Sequence, residues 1–431
     1  MLLSNVVSPL CACLCDDLTL EIQDGTIRCL EPVCPTAAAG YARLSQAAAP
    51  AAWRAGRECD LAEAQVAAMQ ILRQARAPLI CGGAGMGTRS HRAAIQLAET
   101  LSGTIVASES AFSQALTTAM RQVGLSTCTL GEIRQHADLL VLWDVDPEVT
   151  HPRLLSRLSP VPPSRARRVL RVRTGDVREI TRTGDDWTIP KGAALDLLTA
   201  LRRLLAQKLP LSQPAGRQAL FNNPALVELL QLLVACRYGV LLFGPELADS
   251  PILPGAIQQL LSLVRDLNAC TRWTARGLTT PGAGNVLTWQ TGFTSAVQFQ
   301  QGICRAPPGE GNSSDLLCRQ AVDCAVILGG ETLSKLTDAA LAQLRNLPGI
   351  LLLPAGEPVP EWCPSVIIPV AVDGVHTSDS IYRLDDVALP VRKILDSPLP
   401  TVAGLLSGWT ETLSPGDDDE SGSASVVSRR A

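Results

Sequence analysis

No uncharged apolar run in this 431-residue chain approaches the roughly 20 residues that cross a bilayer. A helical membrane span is therefore not expected. The apolar start, MLLSNVVSPLCAC, lacks the basic n-region of a secretory signal and reaches Asp16-Asp17 before any cleavage pattern. The expected location is the cytoplasm. A basic excess is missing too: 37 Lys plus Arg against 41 Asp plus Glu leave a net charge of −4, which argues against a nucleic-acid partner. The one basic cluster, Arg165, Arg167, Arg168, Arg171 and Arg173, alternates partly with Val169, Leu170 and Val172. It reads as a solvated loop entering a strand, or as an anion-binding rim built on arginine's planar fork.

Cysteine, by contrast, is plentiful. Five of the fourteen crowd into the first thirty-four residues: Cys11, Cys13, Cys15, Cys29 and Cys34. Residues two apart rarely meet disulfide geometry, so Cys11-Ala-Cys-Leu-Cys15 points to thiols or metal ligands rather than a secreted framework. Others, such as Cys81, Cys236 and Cys324, sit in apolar runs as small core residues.

The chain is long enough for two or three cores. Residues 1–57 are expected to form a small cysteine-rich unit. In it Leu18–Gln23 alternates at period two, Asp24-Gly25 turns, and Thr26–Leu30 returns as a hairpin. A helix and linker are expected over residues 37–52. A first α/β lobe spans 58–160, joined in space by 325–412, a second spans 161–324, and residues 413–431, rich in Asp, Ser and Gly, form a disordered tail. Within the first lobe a strand at Pro78 runs into Gly82, Gly83, Gly85 and Gly87. Such a turn either lets backbone amides cradle a phosphate at a helix N-terminus or is simply tight.

The stretch 131–157 organises the rest. Its apolar run 137–143, flanked by Asp138 and Asp144, reads as a parallel strand buried on both faces. Ligands in open α/β sheets bind beyond the carboxyl ends of such strands, which places a binding loop at residues 144–157. Residues 272–310 have little regular pattern and are expected to be a long functional loop. The sequence around Arg319-Gln320 echoes Arg134-Gln135 ahead of the central strand, consistent with two similarly wound lobes.

The central loop, Trp143-Asp-Val-Asp-Pro-Glu-Val-Thr-His151-Pro152-Arg153-Leu-Leu-Ser156-Arg157, resembles that of the B-type subunit of formylmethanofuran dehydrogenase. The likeness continues in Cys13-Leu-Cys15-Asp16-Asp17, Asn285-Val-Leu-Thr-Trp-Gln290-Thr291-Gly292, Pro308-Gly309-Glu310 and Ala388-Leu-Pro-Val-Arg392-Lys-Ile-Leu-Asp396-Ser-Pro398. The resemblance implies a molybdopterin-oxidoreductase-like, formate dehydrogenase-like α/β fold with doubly wound parallel sheets and no C-terminal β-barrel. It implies cofactor-site roles for His151, Arg153, Ser156, Arg157, Arg276, Asn285, Gln290 and Thr291. On the residues alone, His151 serves equally as a helix cap or core histidine, and Arg153 and Arg157 equally as a structural ion pair.

Two versions of that family are implied. One carries molybdopterin guanine dinucleotide with molybdenum or tungsten and a [4Fe–4S] cluster. The other, in bacterial formyltransferase/hydrolase complexes of tetrahydromethanopterin-linked one-carbon metabolism, releases formate and needs no metal in its B-type subunit. The partners would be an amidohydrolase-like A-type subunit, a C-type subunit and a formyltransferase D-type subunit, and the carrier a methanofuran. For the cluster, Cys11, Cys15 and Cys34 supply three ligands, with Cys13 or Cys29 as substitutes, but the first position falls on Ser8. The metal-ligating position falls in Glu109-Ser-Ala-Phe112-Ser113, which has no thiolate, and no lysine precedes Lys191 to relay electrons. The expectation is a non-redox structural and cofactor-binding subunit with no catalytic residue of its own and no retained pterin. The redox subunit is the second reading, and a lone dinucleotide-binding protein the third.

Overall fold

Along the strand Leu139–Trp143, Val141 and Trp143 enter one hydrophobic core while Leu140 and Leu142 enter another. That is the period of two a strand imposes on its side chains. All five residues are buried, as a parallel strand covered on both sides requires. The structure, a computed structural model, describes residues 1–46, 51–107, 110–162, 166–208, 224–245, 247, 253–278, 284–300, 302–307, 311–361 and 364–414.

This strand lies inside a six-stranded sheet ordered Thr181–Thr183, Asp186–Pro190, Arg168–Gly175, Leu139–Trp143, Tyr238–Phe243, Arg272–Gly277. The last five are parallel, and Thr181–Thr183 pairs antiparallel at the edge. Helices Ala111–Val123, Ala194–Lys208, Pro224–Ala235 and Leu253–Leu267 bury their apolar stripes on the Trp143 face, together with Trp187 and Trp273. Each large aliphatic side chain buried there contributes about 1.5–3 kcal/mol.

The opposite face seats the cysteine-rich unit. Strands Leu2–Val6, Leu18–Gln23 and Thr26–Leu30 form an antiparallel sheet followed by helix Pro35–Gln46. Leu18, Leu20, Tyr41 and the thiols of Cys11, Cys13, Cys15 and Cys34 share one core with Leu140, Leu142, Val240 and Leu242.

A nine-stranded sheet forms the other lobe. Its five central strands, Thr104–Val106, Pro78–Gly82, Cys324–Leu328, Gly349–Pro354 and Val366–Val370, are parallel, with antiparallel strands on both edges. Helices Leu61–Gln74, Thr88–Thr100 and Val402–Leu413 cover one face, and Ser313–Cys318 and Asp338–Leu344 the other. A two-stranded hairpin, Asp379–Tyr382 with Ala388–Val391, stands apart from both sheets.

The architecture is therefore mixed α/β with parallel-containing sheets. The sheets divide the chain differently from the expected lobes. Leu139–Trp143, assigned to 58–160, pairs with the strands of the later lobe, whereas Ala296–Gln300 and Ile303–Arg305, assigned to 161–324, extend the earlier one. Strand pairing is non-local, and an apolar run carries no mark of which sheet it will join. The N-terminal unit also ends sooner, because Ala52–Arg54 pairs with Val366–Val370. The segment 272–310 is more regular than its pattern suggests: it contains a strand, the helix Gly284–Thr291 and a hairpin. Residues 308–310 and 415–431 lie outside the described residues.

Candidate functional site

Between the cysteine-rich unit and the central loop, the Sγ atoms of Cys11, Cys15 and Cys34 all lie within 4.8 Å of one another, and all three residues are buried. A tight turn makes this possible: Leu14 takes φ +38°, its amide donates to Cys11 O at 2.9 Å, and the Cys15 amide points at Cys11 Sγ at 3.4 Å. Cys34 comes from the other side, immediately before helix Pro35–Gln46. The Cys11 and Cys15 thiols donate to it, and the Thr36 and Ala37 amides at the helix start add to that, so Cys34 is driven far below the ordinary thiol range despite its burial. The Cys11 thiol is correspondingly raised. Cys13 is buried but stands outside the triangle, and its burial pushes it up to about 12. Cys29 turns its sulfur to Leu30 O.

A cavity of about 20 Å³ adjoins the three thiols, lined from the central loop by Thr150 and His151. His151 ends the short helix Pro147–Thr150, its amide donating to Pro147 O at 2.8 Å. The ring is 7% exposed, Nδ1 lies 2.9 Å from Thr150 Oγ1, and Nε2 is buried with no hydrogen-bond partner among the described residues. Burial holds its pKa below the ordinary imidazole range, so it is neutral at pH 7. His151 thus caps the short helix through its backbone amide and is buried, but its ring is not fully satisfied, because Nε2 has no partner among the described residues.

The arginines of the loop face Asp16 and Asp17. Arg153 donates two parallel bonds to Asp17, at 2.6 and 2.7 Å, and Arg157 reaches Asp17 at 3.0 Å and Asp16 at 2.5 Å. Spaced four apart across one turn, both guanidinia meet a carboxylate pair that adjoins the last cysteine. Asp16 also lies 3.6 Å from Arg383, which in turn forks onto the fully buried Asp385 at 2.6 and 2.8 Å. Asp385 accepts the Leu130 amide at 2.8 Å, and these partners overcome its burial to lower its pKa. The Ser156 hydroxyl donates locally, to Arg153 O.

Arg276 and Asn285 converge on the next residue of the same turn, Asp386, at 2.8 and 3.2 Å. Arg276 is buried at a strand end and also donates to Cys128 O, Leu384 O and Thr127 Oγ1. Thr291 bonds Leu287 O within its own helix, and Gln290 is exposed beside Trp289, itself 79% exposed. The residues expected to form one site thus fall into two internal clusters tied by residues 383–386, plus an outlying helix. Asp16, Asp17, Arg383, Asp385 and Asp386 carry no expected role in the sequence reading. Their signal was charge complementarity: two adjacent acids after the cysteines, and Arg-Leu-Asp-Asp inside a hairpin.

The glycine turn of the other lobe is occupied from within. The Gly87 amide and Ser90 hydroxyl donate to Asp373 Oδ2, both at 2.7 Å, and Asp379 takes Thr88 Oγ1 and the Arg89 amide. Gly82 has φ +96°, and a Cβ there would collide with Thr332 Oγ1 and lie 2.5 Å from Leu328 O. Close packing accounts for this glycine, and carboxylates of the chain itself fill the anion position.

Neither redox group implied by the resemblance fits the residues present. Phe112, in the segment where a metal-ligating thiolate would sit, is buried in an edge-to-face pair with Phe243 at 5.8 Å. Ser113 spends its amide on Ser110 Oγ, which also donates to its hydroxyl. For a four-iron cluster there are three gathered thiols, rather than four, among the described residues. Ser8 is buried with its Oγ accepting the Leu10 amide, and the adjoining cavity has room for one water-sized occupant.

Fold and loop together define a protein of the mixed α/β, parallel-sheet class with a cysteine-rich unit docked on one sheet. No protein-family model matches the chain. It is similar to the B-type subunit of the tungsten-containing formylmethanofuran dehydrogenase 2 of Methanocaldococcus jannaschii, 27% identical over 417 residues, covering 91% of this chain and 94% of that one. The corresponding Methanococcus maripaludis protein is 24% identical with the same coverage. The B-type subunit of the formyltransferase/hydrolase complex Fhc of Methylorubrum extorquens is 27% identical over 269 residues, 58% of this chain and 66% of that one. The fold matches a chain in the crystal structure of that organism's FhcABCD complex with methylofuran, at a TM-score of 0.66 and 23% identity, over 84% of this chain and 98% of that one. The resemblance read from the loop motifs holds: the curated relatives carry the name of that family.

Proposed function

We propose that this chain is the B-type subunit of a formyltransferase/hydrolase-type complex in tetrahydromethanopterin-linked one-carbon metabolism, a non-redox structural subunit on a molybdopterin-oxidoreductase-like frame. The observation that carries it is Phe112. An aromatic ring packed into the core against Phe243 stands where the redox relatives would need a soft metal ligand. The similarity to tungsten enzymes over 91% of the chain favours the second reading, a redox subunit. Against it stand Phe112 and the carboxylates that already occupy Arg153, Arg157 and Arg276. No helix among the described residues is long and apolar enough to cross a membrane, which suits a subunit of a cytoplasmic assembly. The Methylorubrum complex is described with methylofuran, so a furan-amine carrier is the ligand class for this complex. Trp289 and Gln290, both exposed, are residues of the family motif placed to meet a carrier or a neighbouring subunit.

The test is anaerobic co-purification with the partner subunits, followed by assays of N-formyl-furan hydrolysis and of viologen-coupled formate oxidation, with molybdenum and tungsten analysis. Formate release without either metal is expected. Near-stoichiometric molybdenum or tungsten with formate oxidation would overturn the proposal.

A further inference from the structure

Three buried thiols drawn into one triangle are an unusual thing for a protein to keep without a use. The three sulfurs all lie within 4.8 Å of one another, each in a buried residue. The arginines nearby are already matched by carboxylates, Arg153 and Arg157 by Asp17 and Asp16, Arg383 by Asp385. No surplus positive charge remains in this network to balance ionised sulfur, and buried unbalanced charge is costly.

We propose that Cys11, Cys15 and Cys34 bind a single thiophilic divalent cation, zinc being the probe, in place of an iron–sulfur cluster. The spacing decides between them. Tetrahedral coordination with zinc–sulfur bonds of about 2.3 Å holds two thiolates about 3.8 Å apart, inside the 4.8 Å limit that the three sulfurs meet. A cubic cluster puts each thiolate on a different iron and holds them farther apart, around a body larger than a cavity with room for one water-sized occupant. The position of the missing fourth cysteine is Ser8, which has no thiolate to offer and whose Oγ accepts the Leu10 amide. The fourth coordination position opens on the cavity. There a solvent ligand fits, and His151 Nε2, otherwise buried and unpartnered, accepts or donates the hydrogen bond that such a ligand needs. Each cysteine that ligates releases its proton to solvent, so uptake is proton-coupled. The ion would clamp the loop of residues 11–15 to the start of helix Pro35–Gln46. This inference stands apart from the assignment to a complex, because it concerns the cysteines alone.

The experiment compares the wild-type protein, purified anaerobically with its partner subunits, with the Cys34→Ser variant. Zinc, iron and acid-labile sulfide are measured per chain, and cobalt is then exchanged in. One zinc per chain more in the wild type than in Cys34→Ser is expected, with thiolate-to-cobalt charge-transfer bands that the variant loses. His151→Ala should keep the ion and shift the cobalt ligand-field bands. Iron with labile sulfide that Cys34→Ser abolishes would overturn the proposal in favour of a cluster, and equal metal content with no cobalt–thiolate bands would overturn it in favour of free thiols. Should Cys34→Ser fail to fold, thiol titration of the wild type decides. Three cysteines that become reactive only after chelation support the ion, and thiols whose reactivity ignores chelator refute it.

Discussion

Arg153 grips Asp17 through both terminal guanidinium nitrogens, at 2.6 and 2.7 Å, across 136 residues of sequence. The pair fastens the cysteine-rich unit to the loop that leaves the central strand. Arg153→Lys keeps the charge but loses the fork. Because the Asp17 side chain is 42% exposed, solvent screening limits the loss to about 1 kcal/mol, read as a lower urea midpoint. An unchanged midpoint would mean that packing alone docks the unit. Arg153 also holds the Asp17 carboxyl below its ordinary value. Its stabilisation is therefore full above the unfolded pKa of about 3.9 and is lost as pH falls through the depressed folded value.

Asp385 is the buried counterpart of that surface pair. Asp385→Ala leaves the Leu130 amide without its acceptor and the Arg383 guanidinium with the more distant Asp16, 3.6 Å away. A cost of about 3–5 kcal/mol is expected in chemical denaturation. A loss under about 1 kcal/mol, the size of an exposed pair, would contradict the burial of this carboxylate.

His151 makes the fold sensitive to mild acid. Its folded pKa is depressed by burial, so the unfolded chain takes up a proton first, near pH 6.5. Stability is full above that pH and declines as pH falls towards the folded value. Melting temperature followed from pH 7.5 to 5 should drop more steeply for the wild type than for His151→Gln. Parallel curves would refute the point.

Gly82→Ala tests whether the glycine turn serves packing. The positive φ and the backbone oxygen of Leu328 in the path of a Cβ leave no cheap relaxation. A loss of about 2 kcal/mol or more is expected, whereas Gly184→Ala, where φ is also positive but nothing lies within 4 Å, should cost only about 1 kcal/mol. Equal losses at both would show that the conformation, and not the crowding, matters.

Local chemistry made part of this site legible in advance. The family's cysteine pattern, carried onto Cys11, Cys15 and Cys34 with Cys13 or Cys29 left open as substitutes, named the three thiols that the structure gathers, and Arg153 and Arg157 lie one helical turn apart. What the chain order hides is who receives them. Asp385 and Asp386 sit in a hairpin whose strands are short, and nothing local announces that the turn will be swallowed between Leu130 and Arg276. The strand Arg272–Gly277 is hidden for a related reason. All but its first residue are buried although Arg276 is charged, so its polarity does not alternate with its burial. Likewise the glycines read equally as a phosphate cradle until Asp373 and Asp379 are seen to come from the far end of the chain.

Asp16 and Asp17 leave the ribosome well before their partners, which lie at 153, 157 and 383. Closing loops of that length is slow compared with local pairing. The N-terminal hairpin can form early, but the acids beside it remain unmatched until the hairpin turn at Arg383 has been synthesised. A nascent chain halted before that turn would carry Asp16 without Arg383, and Leu130 without Asp385. Completion of the cysteine-rich unit thus waits for the hairpin of Asp379–Tyr382 and Ala388–Val391 to arrive.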